Sequence, residues 1–507
     1  MLMFPQIENF MYTKKLLFVL PLLFLMKLNA QDKNIFLDRA FWKTAPSIAT
    51  IKTKISEGND PTALNRYAFD AVGYAILEEA PNSSIHYLLS LEGNPIDKIT
   101  HDKRTYVFWA AYKGNVALME YLIGKNARMD LKDSHGYSVL TFAAATGQKN
   151  TKVYDLCLEN GSSITETDDH GANALLLIMP HLNDLKMLDY FTEKGLRLSS
   201  KDNDGNGAFN YGTKNGNSAI LKELIAAGVP YKGLNNNGGN AMFMATQRAR
   251  KGYNLLSFYK ELEALGVAPN IVNKQGKTPL HNIAYANKDK ETIAYFIEKG
   301  TNINQEDIDG NTPLLNASSV NSLEVITLLI DDNTDINHQN KQGKTAISNA
   351  IERNSMDVVS YLLKQGAKTN VKDQKGNSLA YYLVHGYNAQ KPKDFQDKKS
   401  ALIAKGVPMK EVQHNANTLF HIGLEKNSIA LLKEIHAMGI DVNAINSDGL
   451  TVLHKAVMQA KDLTVVNYLL SIGADKTMVT SFGENVFDLA KENEQLNAQN
   501  IDLTFLK

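Results

Sequence analysis

The side chains best suited to chemistry in this chain are histidines with acidic neighbours. His135 stands two residues after Asp133, and His170 follows Asp168 and Asp169. Imidazole and carboxylate groups are common metal ligands, and a zinc ligand atom lies within about 2.2 Å of the ion. Both histidines fall at the tips of successive turns, and stacked elements are expected about 10 Å apart. The sequence therefore predicts that the two tips do not share a metal ion.

Two other stretches have the spacing of ligand-binding loops without the complete set of ligands. Residues 202–207 read Asp-Asn-Asp-Gly-Asn-Gly, like the opening of a calcium loop. The twelfth position of such a loop must supply a bidentate Glu, and it is Thr213 here. The Gly-Lys-Thr sequences at Gly276 and Gly343 lack the earlier glycine of a phosphate loop. We expect neither calcium nor a nucleotide to bind at these positions.

The composition argues against several other classes of protein. Lysine plus arginine equals aspartate plus glutamate, 54 each, so no net charge favours nucleic acid as a partner. The single cysteine, Cys157, cannot form an internal disulfide, and its apolar setting predicts a buried thiol. No Gly-x-Ser-x-Gly, His-Glu-x-x-His or dinucleotide-binding glycine pattern occurs. We therefore expect a protein that is not an enzyme and binds no cofactor.

A regular series of Gly and Asn residues divides the chain into short repeats. Most of them follow an apolar-x-x-apolar-apolar pattern, which is one face of a helix. Each ends that helix, where Gly and Asn tolerate a left-handed conformation best. The series is Gly58, Gly93, Asn126, Gly161, Gly195, Gly228, Gly266, Gly300, Asn333, Gly366, Gly406, Gly439 and Gly473. Ten of its twelve spacings fall between 33 and 35 residues, which predicts a solenoid of stacked repeats.

A second series of glycines marks a tight turn at the start of each repeat. In nine turns an Asp or Asn stands three residues before the glycine. Such a side chain hydrogen-bonds its own turn, and the glycine provides a positive φ. The glycines are Gly136, Gly171, Gly205, Gly238, Gly276, Gly310, Gly343, Gly376, Gly449 and Gly483, and Ala416 occupies the slot once. The pattern predicts a hairpin-like turn between repeats.

The best-preserved repeats lie at 274–373, where Thr278-Pro279-Leu280-His281 resembles the signature of the ankyrin repeat family. The resemblance covers residues 34–507 and implies an all-α repeat solenoid of stacked helix-turn-helix units with short hairpin turns. It also implies that the motif histidines, among them His421, are structural and bond the start of the first helix. The residues assigned to this structural frame are Gly276, Thr278, Pro279, His281, Gly310, Gly343, Gly376, Gly449 and His454.

The N-terminus carries a separate signal. Lys14 and Lys15 precede an apolar run of about ten residues, the pattern of a secretory signal peptide. The run is shorter than the roughly 20 apolar residues that span a bilayer. We expect cleavage after Ala30 and export to a periplasm or the cell exterior, with Met1 or Met11 as the start. The alternative is an uncleaved N-terminal membrane anchor.

The chain is thus expected to have four segments: a signal peptide at 1–30, capping helices at 31–61, about twelve ankyrin-type repeats at 62–480, and a capping repeat at 481–507. Two repeats, at 238–275 and 376–415, are longer than the others and are the places where the array could bend. The second contains an insert at 386–399. Inserts in such arrays fall in loops, so we expect a projecting surface loop.

Within the repeats, the two residues before each turn glycine vary while the frame is kept. In ankyrin-type arrays these tips and the inner helices line an extended concave binding face. Candidate partner-binding tips are His135, His170, Asp204, Asn237, Lys274, Gln275, Ile308, Asp309, Lys341, Gln342, Asp448 and Phe482. Ile308 and Phe482 are candidate apolar anchors, or else ordinary scattered surface apolar residues.

The sequence therefore predicts a non-catalytic protein–protein interaction scaffold that binds an unidentified protein on this concave face. We expect no nucleic-acid partner, no stable membrane insertion after signal cleavage, and a monomer. The alternative function is a membrane-tethered protein that organises the cell envelope, if the leader is not cleaved.

Overall fold

The structure, a computed structural model, describes residues 34–499 and 501–507. The predicted signal peptide lies outside the described residues. Within those ranges the chain forms 28 α-helices and no strand, and the helices follow one another in pairs. The predicted fold class, an all-α repeat solenoid, is confirmed. No helix in this part of the chain has both the length and the apolar character needed to cross a membrane.

The helix pairs, first helix before second, have the following bounds: Arg39–Lys43 and Ile48–Ser56; Ala71–Leu77 and Asn82–Leu89; Tyr106–Lys113 and Val116–Gly124; Val139–Ala145 and Thr151–Glu159; Ala174–Ile178 and Lys186–Glu193; Ala208–Gly212 and Ser218–Ala226; Ala241–Ala245 and Leu256–Ala264; Pro279–Ala286 and Lys290–Glu298; Pro313–Ser318 and Leu323–Leu328; Ala346–Arg353 and Met356–Lys364; Leu379–His385 and Pro392–Ala404; Leu419–Leu424 and Ile429–Ala437; Val452–Gln459 and Thr464–Ser471; Val486–Glu492 and Glu494–Ala498. Short 3-10 turns occur at Ile35–Leu37, His101–Lys103, Met179–His181, His414–Ala416 and Thr504–Leu506.

The chain divides into two compact units. The first consists of Met1–Gly212, described from residue 34, together with Ala219–Val229. The second consists of Thr213–Ser218 and Pro230–Lys507. In each unit the first helix of a repeat contacts the first helix of the next repeat.

The helices are too short to be stable alone. They run from 5 to 13 residues, and isolated helices below about 12–15 residues are marginal in water. In the repeat with the complete motif, Pro279–Ala286 buries Leu280 and Ile283, and Lys290–Glu298 buries Phe296. Each such side chain contributes about 1.5–3 kcal/mol when it is fully removed from water. The core is therefore a series of layers, each completed by the neighbouring repeat.

The turn that opens each repeat has the predicted hairpin form. The backbone N–H of Asp133 donates to the carbonyl of Tyr137 over 2.9 Å. The Asp133 carboxylate accepts the N–H groups of His135 and Tyr137, each at 2.9 Å. The same pair of bonds recurs at Asp168, Asn235, Asn273, Asp307, Asn340, Asp373 and Asn446. The expected role of the Asx residues is confirmed.

Two turn glycines are required by space as well as by backbone conformation. Gly276 and Gly343 have φ values of 72° and 77°. A Cβ on Gly276 would lie 2.5 Å from the carbonyl oxygen of Glu306, and one on Gly343 would lie 2.7 Å from the backbone nitrogen of Gln374. Both contacts are with the next turn, so these glycines permit the turns to pack closely.

Only the first half of the insert at 386–399 is the surface loop that the sequence predicts. Its second half belongs to the second helix of the repeat, Pro392–Ala404. Proline is accepted at the first helical position because its missing N–H has no partner there in any case. Two i, i+4 ion pairs of 2.9 and 2.8 Å join lysines to aspartates along the helix, and Phe395 and Lys398 are buried. This charged segment is therefore helical, with Phe395 as its buried apolar contact.

Both ends of the described chain are closed by apolar side chains. Trp42 and Phe36 are fully buried, and the Trp42 indole N–H donates to the Phe36 carbonyl over 2.8 Å. At the other end Leu496 and Leu506 are buried. The boundaries predicted for the caps and the array, at 31–61, 62–480 and 481–507, stay a prediction.

Ala416 provides a test of the turn geometry. Its φ is +53°, a left-handed conformation that costs a residue with a Cβ about 1–2 kcal/mol. We expect Ala416→Gly to raise the free energy of unfolding by about 0.5–1 kcal/mol, after the greater freedom of glycine in the unfolded chain is subtracted. Urea unfolding of the full chain measures this change.

The matched reverse substitution is Gly376→Ala. Gly376 has a φ of +84°, and a Cβ there meets no atom within 4 Å. We therefore expect Gly376→Ala to lower the free energy of unfolding by about 1 kcal/mol, through backbone strain without steric overlap. If the two substitutions shift the urea midpoint in the same direction, the strain at Ala416 is contradicted.

Candidate protein-interaction surface

The motif histidines bind one repeat to the next. His281 Nδ1 lies 3.0 Å from the backbone nitrogen of Thr278, whose N–H it accepts. The proton is therefore on Nε2, which donates to the carbonyl oxygen of Asn311 in the following repeat over 3.1 Å. His421 and His454 reach the backbone of their next repeats in the same way, over 3.0 and 2.9 Å. All three histidines thus bond the start of their own first helix as well as the next repeat.

Burial keeps two of these imidazoles neutral. Loss of water lowers the pKa of His281 and of His421 below the ordinary value, and the carbonyls they bond only partly oppose the shift. A neutral ring is the form that the bonds need, because a protonated Nδ1 would face the N–H of Thr278 with a second donor. These side chains are consequently unsuited to acid–base chemistry.

A second set of bonds between repeats, which the repeat pattern does not predict, lies in the loops between paired helices. There a side-chain N–H donates to carbonyls at or just after the end of the preceding first helix, which lack partners within that helix. Asn354 Nδ2 lies 3.1 Å from the Ser318 oxygen and 2.9 Å from the Asn321 oxygen. We call these donors the loop ladder; they are Gln148, His181, Asn254, Asn321, Asn354 and Asn493.

The loop ladder has a signal that the sequence could have given. Asn321 and Asn354 are 33 residues apart, as are Gln148 and His181. Read singly, each is an ordinary loop residue, and only the common spacing shows a shared function.

The loop ladder is interrupted at Ala460, which stands 33 residues before Asn493 and has no polar side chain. A recess of about 280 Å³ lies at this point. Its lining includes Leu424, Glu425, Asn427, Ala456, Gln459 and Ala460. The end of the preceding first helix, Leu419–Leu424, therefore meets open space where other repeats place an amide.

The predicted tip residues lie at the surface. Eleven of the twelve candidates are exposed, and Asn237 is half-buried. The two candidate anchors are strongly exposed, Ile308 to 58% and Phe482 to 88%. By contrast, the Asx residue below the Ile308 tip, Asp307, is buried. That these tips bind a partner stays a prediction.

Neighbouring tips are bonded to each other through the backbone. In the first unit the N–H of Asn203 donates to the carbonyl of His170 over 2.9 Å, and in the second the N–H of Ile308 donates to that of Gln275 over 2.7 Å. The separation of about 10 Å expected between stacked elements is therefore wrong for neighbouring tips, because their backbones are in direct hydrogen-bond contact. Among the described residues, no group of three or more His, Cys, Asp and Glu side chains could hold a metal ion.

The acidic neighbours of His135 belong to an ion network. His135 Nε2 lies 3.5 Å from an oxygen of Asp102, in the preceding turn at His101–Lys103. The same oxygen is 3.1 Å from Arg104 and 3.3 Å from His101. Arg104 also pairs with the buried carboxylate of Asp133 at 2.7 Å. The carboxylates beside His135 thus have cationic partners of their own.

The residues of the calcium-like stretch are similarly engaged. The Asp202 carboxylate accepts the backbone N–H of Asn206 over 2.7 Å and the hydroxyl of Tyr211 over 3.0 Å. Hydrogen-bond donors therefore occupy the oxygens that a calcium ion would require.

Cys157 is fully buried, and burial raises the pKa of its thiol to about 12, so the thiolate needed for reaction does not form at neutral pH.

Stacked helix pairs, Asx turns and side chains that cap the neighbouring repeat define an all-α repeat protein. Models of ankyrin repeats match residues 73–168, 247–340, 317–391 and 420–470, together more than half of the chain. The chain belongs to the ankyrin repeat family. The matches leave out residues 169–246, where the first helices Ala174–Ile178 and Ala208–Gly212 have only five residues each.

Two known proteins illustrate the similarity. The phosphocholine transferase AnkX of Legionella pneumophila is 26% identical over 174 residues, which make up 34% of this chain and 18% of AnkX. The chain thus spans less than a fifth of that protein's length. The crystal structure of the human ASB11 ankyrin repeat domain matches with 20% identity and a TM-score of 0.37, over 46% of this chain and 98% of that one.

The interruption of the loop ladder gives a stability prediction. An amide at position 460 would reach the uncapped end of Leu419–Leu424, so we expect Ala460→Asn to raise the free energy of unfolding by about 1 kcal/mol. Thermal unfolding of the full chain measures the effect.

Asn493→Ala is the matched control at an intact position. Its Nδ2 bonds the Val457 and Ala460 carbonyls at 2.8 and 2.9 Å, so its removal is expected to cost about 1–3 kcal/mol. If Ala460→Asn destabilises the chain while Asn493→Ala behaves as expected, the recess is not a vacant position of the ladder.

Proposed function

We propose that this chain is a non-catalytic protein–protein interaction scaffold, which binds its partner on the face formed by the turn tips and the first helices. Ankyrin repeats generally mediate protein–protein interaction, and the fold is typically non-catalytic. The observation that carries the proposal is that the side chains that hold the scaffold together and the side chains that face solvent are different sets. Frame residues such as His281 and Asp307 are buried and bond the scaffold, whereas the tips are exposed and differ from repeat to repeat.

The first helices add exposed side chains to the proposed face. Tyr285 and Met458 are exposed on Pro279–Ala286 and Val452–Gln459. On another first helix, Tyr381 stacks on His385 with ring centroids 5.2 Å apart, and His385 Nδ1 bonds Glu352 at 2.7 Å. Aromatic rings held by such contacts are typical of interaction surfaces, because little freedom is lost when a partner covers them.

The transferase activity of AnkX does not come to this chain with the similarity. The matched stretch covers only 18% of AnkX, and a shared repeat fold does not fix a function. The imidazole of His281 bonds the frame, and the carboxylates of Asp102 and Asp133 near His135 are paired with Arg104.

The location of the protein is a separate proposal. The leader pattern at 1–30 favours export after cleavage at Ala30, whereas an uncleaved leader would favour the membrane-tethered envelope protein. N-terminal sequencing of the mature protein should read from Gln31. A start at Met1 or Met11 would contradict cleavage, and it would leave the tethered alternative to be tested by fractionation after a high-salt wash.

The binding face can be tested by capturing partners from the native compartment with tip variants. Two pairs are suitable: His135→Ala with His170→Ala, and Ile308→Ser with Phe482→Ser. We expect at least one pair to reduce partner capture tenfold or more. Thermal unfolding should change little in either, since exposed substitutions are usually within about 0.5 kcal/mol of neutral.

The matched control lies on the second helices and their approaches, where Lys288 and Lys364 are exposed. Lys288→Ala with Lys364→Ala should leave capture unchanged. Loss of the partner in this control, with both tip pairs still active, would show that the face is wrongly assigned. If the unaltered chain captures no protein, the scaffold function itself is contradicted.

A further inference from the structure

Four successive tips of the second unit form a bonded row with its own chemical character. We call it the basic tip row; its residues are Lys274, Gln275, Ile308, Asp309, Lys341, Gln342, Gln374 and Lys375. Three backbone N–H···O=C bonds of 2.7, 2.8 and 2.9 Å join each tip to the next. All eight residues are exposed. The row is therefore a continuous strip whose side chains face solvent on a fixed backbone.

The row is positively charged in a chain that has no net charge. It contains three lysines, Lys274, Lys341 and Lys375, against one carboxylate, Asp309. None of the three lysines forms an ion pair with any residue that the structure describes. Two tips of the first unit carry carboxylates instead, Asp169 and Asp204. The charge is therefore segregated between tips, and the total composition hides this segregation.

An apolar side chain stands inside the basic tip row. Ile308 is 58% exposed, and its own backbone bond to Gln275 holds it on the row. The tip after it begins with Lys341, and the tip before it begins with Lys274. An isoleucine flanked on both sides by unpaired ammonium groups provides one point of apolar contact between two points of attraction for carboxylates.

We propose that the basic tip row binds an acidic, extended segment of a protein partner, with an apolar side chain of that segment packed on Ile308. The inference rests on the proposed scaffold function and adds the chemistry of the partner. Lysines on the rim of an interface steer oppositely charged partners and set the salt dependence of binding. The three glutamines supply amide donors and acceptors that suit the backbone of an extended chain.

The same lysines could attract nucleic acid, but the other residues of the row favour protein. Asp309 would face the phosphates with a like charge. Binding of single strands relies on aromatic side chains that stack on bases, and the eight residues include no aromatic ring. Ile308 would have no comparable role on a phosphate backbone.

The test is a selection of random twelve-residue peptides displayed on phage against the immobilised full-length chain. Enriched peptides are then synthesised with a fluorescent label, and their binding is measured by anisotropy. We expect the enriched peptides to combine several Asp or Glu residues with a large apolar residue. Their affinity should fall at least tenfold in the Lys274→Gln, Lys341→Gln, Lys375→Gln triple variant, and it should weaken as salt is raised.

Ile308→Ser separates the apolar contact from the charge. This substitution should weaken the binding of the enriched peptides. It should have little effect on the binding of peptides in which the apolar residue is replaced by serine. Ile403, 52% exposed on Pro392–Ala404, is the matched isoleucine, and Ile403→Ser should change nothing. The matched lysines are the exposed Lys288, Lys364 and Lys433, replaced together by glutamine. Thermal unfolding confirms that each variant is folded.

Several outcomes would overturn the inference. They are enrichment of neutral or basic peptides, no enrichment, equal binding to the triple variant and its control, or displacement of the peptides by a twenty-nucleotide single-stranded DNA. The scaffold function is judged separately by partner capture. If a native partner is captured through the tips while the selection fails, only the acidic-segment inference is lost. If capture fails as well, both are lost.

Discussion

The constraint on which this structure depends is that no repeat can satisfy its own backbone or cover its own apolar face. A first helix such as Ala174–Ile178 has five residues, while the last four carbonyls of any helix lack partners inside it. Nearly all its polar backbone would be unpaired in isolation. The neighbouring repeat covers the apolar face and supplies side-chain donors for the unpaired carbonyls. Stability therefore arises at the contacts between repeats, as expected for stacked repeats.

This dependence explains why some parts of the fold could be read from the sequence and others could not. Turn glycines and Asx residues recur because each turn has the same local geometry, so their spacing predicts both the repeat and the hairpin. Each residue of the loop ladder likewise donates a hydrogen bond to the preceding repeat, but three residue types, Asn, Gln and His, make this bond. In the long repeat the ammonium group of Lys398 reaches the Asn354 carbonyl over 2.5 Å from a different element. A function shared by several residue types leaves a weaker pattern than one that demands glycine.

The candidate site was predictable to a similar extent. The exposure of Ile308 and Phe482 followed from their place before a turn glycine. The bonds between tips did not, because they join backbone groups and leave no trace in side-chain identity. The helix at Pro392–Ala404 was missed for the opposite reason, since its lysines and aspartates have the composition of a loop until their i, i+4 pairing is considered.

The backbone bonds between tips have a consequence for how binding can vary. The donor at the first tip position is an N–H, which every residue except proline provides. Ser134, Lys274, Ile308 and Ser447 all donate there, although their side chains have little in common. The frame therefore places no demand on the side chain, and the tips can change charge or polarity without loosening the stack. Because the backbone of the tips is already held, a partner meets a surface that loses little freedom on binding. Affinity and specificity can then be set by the tip side chains alone, on a scaffold whose stability is set elsewhere.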